Sequence, residues 1–151
     1  MKPIEIPDVS RTPIGLDGVV WNVLGQAYIP KQITDARFVW YAIFPEDTFV
    51  PPHTHAAQDE FLLPLDGAID LLIDGQRHTA RPGVPAMLPR GKPHAFYNNS
   101  GKPVCALFWA TPAGQLVELY RRLHNIGNPR QAVAIAPEYG VTFEPPVSAA
   151  R

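Results

Sequence analysis

Three of the five histidines fall in two short stretches whose spacing has chemical consequences. In Pro52-His53-Thr54-His55 two imidazoles stand two residues apart, which on an extended strand places both on one face. Glu60 follows five residues after His55 and opens the next predicted strand, near enough to return beside the pair. His94 comes after the turn-forming run Pro89-Arg90-Gly91-Lys92-Pro93, with Phe96 and Asn98 in phase on its face. Three imidazoles and one carboxylate make a mixed nitrogen and oxygen site for one divalent transition metal, namely Fe, Mn, Ni, Co or Zn. In an octahedral shell such a set leaves two positions for water, substrate or dioxygen.

The other polar candidates read more plainly. Asp59 is a rival carboxylate to Glu60, and Gln58 reads as a solvated loop residue rather than as a donor that orients a ligand. His78 follows a hairpin turn and His124 ends a helix, so both are expected to be exposed. Cys105 sits in an apolar strand and reads as inert core. Arg37 reads as a solvated strand end. Phe96 alternates in phase with His94 and is the leading candidate to line a substrate pocket, followed by Tyr41 and Phe108; core packing is the commoner fate of such aromatics.

These residues must be held by short strands. The segment 19–24 is a possible strand, and 37–44 is β-branched and aromatic with both faces apolar, so it is expected to be covered on both sides. Asp66-Gly67 and Asp74-Gly75 separate apolar runs at 60–65, 68–73 and 76–81, and Asp-Gly between such runs is a hairpin signal. Strands are expected again at 84–88, 94–98 and 103–111, giving an all-β sandwich or barrel. After Gly114 the period changes: Leu116, Leu119, Tyr120 and Leu123 predict a helix over 115–124, with Arg121, Arg122 and His124 complementing its dipole. Asn128-Pro129 predicts a second helix start, with Gln131 completing a capping box and a break near Pro137.

Composition narrows the partners. Thirteen basic against fourteen acidic residues give a net charge of −1, without the basic excess that binds phosphate backbones, so nucleic acid is not expected. Eighteen prolines and eleven glycines suit strands and turns better than helices. One cysteine excludes an internal disulfide framework. The longest apolar run, 104–110, is too short to span a bilayer, and prolines and acids interrupt the first residues where a signal peptide needs an apolar stretch. The expectation is a cytoplasmic protein with a small-molecule substrate and no membrane partner.

The motif spacing resembles the cupin superfamily. Its first signature, G-x5-H-x-H-x(3,4)-E-x6-G, is met by His53, His55, Glu60 and Gly67; its second, G-x5-P-x-G-x2-H-x3-N, by Gly83, Pro89, Gly91, His94 and Asn98. Nine of ten fixed positions agree, and Asp47 stands where the pattern opens with glycine. Gly67 lies at the distance the pattern asks from Glu60, which favours Glu60 over Asp59; Asp59 then caps a turn. The resemblance implies an all-β cupin double-stranded β-helix, or jelly-roll barrel, with a short C-terminal helical segment. It assigns the metal to His53, His55, Glu60 and His94. It divides the chain into N-terminal strands or an arm over 1–35, packing on the barrel or a partner, a barrel core over 36–112, and C-terminal helices and tail over 113–151. The helix after the barrel and the residues from Tyr139 onward are similar to small bacterial cupins of the quercetin-dioxygenase-like kind.

The implied activity is a mononuclear metal-dependent oxidoreductase, dioxygenase-like, acting on a small aromatic or polyphenolic compound, with Glu60 able to double as a base. Two alternatives stand beside it: an isomerase, cyclase or lyase that uses the metal as a Lewis acid, and a cupin that binds a small molecule without turnover. By the same analogy a homodimer is expected.

Overall fold

The structure, a computed structural model, describes residues 14–145, so the segments 1–13 and 146–151 of the expected arm and tail lie outside the described residues. A turn of 3-10 helix, Leu16–Gly18, leads into β1 (Trp21–Val23), β2 (Gln26–Ile33), β3 (Phe38–Phe44), β4 (Phe49–His55), β5 (Asp59–Asp66), β6 (Ile69–Ile73), β7 (Gln76–Ala80), β8 (Ala86–Leu88), β9 (His94–Tyr97) and β10 (Val104–Thr111). Helices α1 (Leu116–Leu123) and α2 (Pro129–Ile135) follow, then a 3-10 turn at Ala136–Tyr139 and β11 (Val141–Phe143). The strands form two antiparallel sheets, one ordered β1-β2-β3-β10-β5-β8 and the other β11-β4-β9-β6-β7, which face each other as the two halves of a jelly-roll barrel.

Strict alternation builds the interior. On β3 the side chains of Phe38, Trp40, Ala42 and Phe44 are buried, and on the adjacent β10 so are Val104, Ala106, Phe108 and Ala110. The ring of Trp40 stacks between Phe38, at 4.6 Å, and Phe108, at 5.3 Å, and Phe96 from the opposite sheet meets Phe108 edge-on at 5.4 Å. Such aromatic contacts fix ring orientation beyond what burial alone would do. Helix α1 closes one end with Leu116, Val117, Leu119, Tyr120 and Leu123 buried, the apolar period expected from the sequence. The Asn128 side chain accepts a hydrogen bond from the Arg130 amide and caps α2.

One expectation about the turns is corrected. Asp74-Gly75 does form the two-residue hairpin between β6 and β7, with both residues at positive φ. Asp66-Gly67 does not: β5 pairs with β10 and β8, whereas β6 pairs with β7 and β9, so the chain crosses here from one sheet to the other. At Gly67 φ is +84° and a Cβ would stand 2.7 Å from Val104 Cγ2, so this crossing requires glycine on both counts. In the N-terminal part β1 and β2 are strands of the larger sheet. In the C-terminal part, after the helices, residues 141–143 return as a strand against β4. None of the helices among the described residues is long and apolar enough to cross a membrane.

Candidate metal centre

Strand β4 carries His53 and His55 on its inward face, and its neighbour β9 begins with His94, placed opposite His53 in the antiparallel register. Glu60 comes from β5 in the other sheet, so the cluster bridges the two sheets. All four side chains are buried, and one potential ligand atom from each lies within 4.8 Å of the others. Glu60 Oε2 stands 2.9 Å from His55 Nε2 and 3.2 Å from His94 Nε2. These contacts do not satisfy the groups: Glu60 Oε2, both ring nitrogens of His94 and Nδ1 of His55 have no hydrogen-bond partner. Buried polar atoms are rarely left so.

A metal resolves this. Neighbouring ligand atoms held at ~2.1 Å by one octahedral ion stand ~3.0 Å apart, close to the spacings observed here. His53 Nδ1 donates to the Pro51 carbonyl at 2.8 Å, which fixes the tautomer and leaves Nε2 as the nitrogen with a free lone pair. The residues present therefore fit a divalent cation.

The electrostatics agree. Burial, reinforced by the charges of His94 and His55, lowers the His53 pKa to about 3, so the imidazole is neutral at neutral pH. Burial pushes the Glu60 carboxyl up, but the facing imidazoles of His55 and His94 outweigh it and hold Glu60 well below the usual carboxylate range. A neutral imidazole beside an anionic carboxylate is the protonation pattern that metal ligation needs.

The rest of the two motifs shapes the frame. Asp59 points away from the cluster; its carboxylate accepts from the Arg90 amide at 3.0 Å and pairs with the guanidinium at 3.2 Å, pinning the turn before His94. The Gly91 amide donates to the His55 carbonyl at 2.9 Å. Buried Asn98 donates to the carbonyls of Phe44, Pro45 and Lys102 and accepts from the Ser100 amide and hydroxyl. Asp47, in place of the pattern's glycine, takes φ +61°, so the left-handed turn survives with a residue that tolerates it. Gln58 is a correction: it is buried, not solvated, because Gly114 leaves room for it, and its amide donates to the Ala113 carbonyl at 3.3 Å.

A cavity of about 330 Å³ opens from the cluster toward α1 and α2. Phe96 and Phe108 line it, as do His53, His55 and Glu60. Tyr41 does not. It alternates out of phase with Trp40 on β3 and lies on the outer face of the sheet with its register partner Leu107, so its expected place in the pocket is corrected. Cys105 shares that outer face and is half-buried rather than core. His78 and His124 are exposed, and His124 Nδ1 accepts from the Asn22 amide at 2.9 Å. Sequence reasoning missed Gln26, Tyr28 and Tyr120, which line the cavity from β2 and α1. The charged residues in the lining are Asp47 and Glu60; neither lysine nor arginine is among them.

Residues 40–110 match the family profile described as a cupin domain. Over 79 residues the chain is 34% identical to a quercetin 2,3-dioxygenase of Bacillus subtilis strain 168, a match covering 52% of this chain and 22% of that enzyme. The chain thus aligns with less than a quarter of that relative's length. Among solved structures, KdgF from a Halomonas species superposes with a TM-score of 0.60 at 16% identity, over 69% of this chain and 98% of the other. A sugar phosphate isomerase of the cupin superfamily from Silicibacter pomeroyi gives 0.52 at 24% identity, over 60% and 61%. At these identities the two structures share the fold alone. The matched profile, the jelly-roll sheets and the histidine-glutamate cluster within them make residues 40–110 a cupin domain.

Proposed function

We propose that this protein is a metal-dependent oxidoreductase, dioxygenase-like, that acts on a small uncharged aromatic or polyphenolic compound. One observation carries the reading: the histidine-glutamate cluster opens onto a cavity walled by Trp40, Phe96, Phe108 and Phe143 and free of cationic side chains. A phosphorylated or carboxylated sugar would need arginine or lysine to offset its charge in such a place. An aromatic ring needs only apolar walls and a few polar anchors. The local similarity to a quercetin 2,3-dioxygenase supports the same class of substrate.

His53, His55, Glu60 and His94 would hold the metal, which supplies Lewis acidity and, when redox-active, electron exchange with dioxygen. The chain's own residues do the rest. The Pro51 carbonyl keeps the proton of His53 on Nδ1 and so presents Nε2 to the site. Glu60, facing the cavity, would take a phenolic proton only on loosening from the metal and from the histidines that hold its pKa low. Trp40, Phe96 and Phe108 exclude water from the reacting ring.

Oxygen uptake tests this. Protein reconstituted separately with Fe, Mn, Co and Ni is given quercetin or catechol, with a zinc form as control. Uptake that depends on both the phenol and a redox-active metal is expected. No response to either phenol in any of the four forms would contradict the reading, and anaerobic turnover by the zinc form would replace it with Lewis-acid chemistry.

A further inference from the structure

Tyr120 projects from α1 into the cavity and is 9% exposed. Its ring lies edge-on to Tyr28 at 4.9 Å and to Trp40 at 5.4 Å. Those ring contacts would be kept by phenylalanine. Among the described residues the hydroxyl has no hydrogen-bond partner, and it is not one of the fully enclosed polar atoms, so it is left to water or a ligand in the cavity. The fold by itself has no use for it.

The hydroxyl of Tyr28 is constrained in a complementary way. Gln26 Nε2 donates to the Phe49 carbonyl at 3.2 Å, so that end of the amide is the NH₂ and Oε1 is left as an acceptor. Tyr28 stands 2.8 Å from Oε1 and must therefore give it its only proton. What remains on the Tyr28 oxygen is lone pairs, on a residue that lines the cavity. Whatever binds there must bring a donor.

We propose that Tyr28 and Tyr120 form the hydroxyl-recognition end of the cavity: Tyr28 accepts a hydrogen bond from an O–H of the ligand, and Tyr120 binds a further ligand oxygen. The inference rests on the aromatic-substrate reading above and narrows it. The ligand is an uncharged aromatic compound that carries at least one hydroxyl besides the oxygen facing the histidines. Gln26 is a positioning residue, since it sets the direction of the Tyr28 proton without reaching the ligand.

The test is calorimetric titration of the metal-reconstituted protein with two probes. Quercetin carries several ring hydroxyls; 3-hydroxyflavone has the same skeleton with the 3-hydroxyl alone. Tyr120→Phe is the leading variant because it breaks no hydrogen bond within the protein, and Tyr28→Phe is the second. Each is expected to weaken quercetin binding roughly tenfold, the worth of one hydrogen bond, and to leave 3-hydroxyflavone unchanged. Thermal stability of Tyr120→Phe without ligand should equal or exceed that of the parent. If the parent binds both probes and the variants bind quercetin as well as the parent does, or lose both probes alike, the recognition role is overturned while the aromatic reading stands. If the parent binds neither probe, the aromatic reading fails and this inference with it.

Discussion

Replacing His53 with asparagine in metal-free protein should remove a defined part of its acid sensitivity. Asparagine can keep a donor to the Pro51 carbonyl, where His53 Nδ1 now donates at 2.8 Å, but it cannot titrate. In the native protein burial and the neighbouring histidines lower the His53 pKa to about 3, against 6.5 for an ordinary histidine. Between those values the unfolded chain binds a proton that the native protein does not, so stability falls as pH falls. The contribution is intact above about pH 6.5 and drains away below it. At pH 5 the unfolded imidazole has gained about 1.5 pH units of protonation beyond its pKa, which amounts to about 2 kcal/mol. Against a total of about 5–15 kcal/mol that is a large fraction. Urea denaturation in chelator at pH 8 and pH 5 reads it directly. The parent should lose about 2 kcal/mol more than His53→Asn over that interval. Equal losses in both proteins would refute the claim that His53 is held neutral by its surroundings.

Two further outcomes test the frame around the site. Asn98→Ala strips the donor from three carbonyls and two acceptor bonds from the Ser100 loop, so a loss of about 3 kcal/mol in urea denaturation is expected, and Asn98→Asp should not rescue it because a carboxylate supplies no donor. Gly67→Ala should cost about 2 kcal/mol or more, and clearly more than Gly75→Ala, because both positions have positive φ but only at Gly67 would the new Cβ meet a neighbour; equal costs would remove the close approach of Val104 from the account.

The metal ligands were legible because their chemistry and their spacing are both local. A two-residue separation on a strand, and a motif that opens the next strand, put His53, His55 and Glu60 within reach before any pairing is known. What was not legible depends on closure of the barrel. Asp66-Gly67 has the turn chemistry of a hairpin, but whether a reversal pairs its flanking strands or carries the chain to the opposite sheet is decided by long-range partners, here β10 and β9. Gln58 looks like a loop residue until Gly114, distant in sequence, leaves the space that buries it. Tyr28 and Tyr120 lie outside both motifs and meet only when α1 packs over β2; the available signals were a glutamine in the apolar run of β2 and a tyrosine on the apolar stripe of α1. The place of Tyr41 was readable in principle, because Trp40 beside it could not share its face.

His53, His55, Glu60 and His94 are arranged to hold one divalent metal. The most direct test of this is the metal content of protein purified without an affinity tag, measured beside His53→Ala and His94→Ala by elemental mass spectrometry. The parent should contain close to one transition-metal ion per chain, and both variants should lose it with the fold retained. A parent that contains no such metal, and takes up none when divalent ions are supplied, would contradict this assignment.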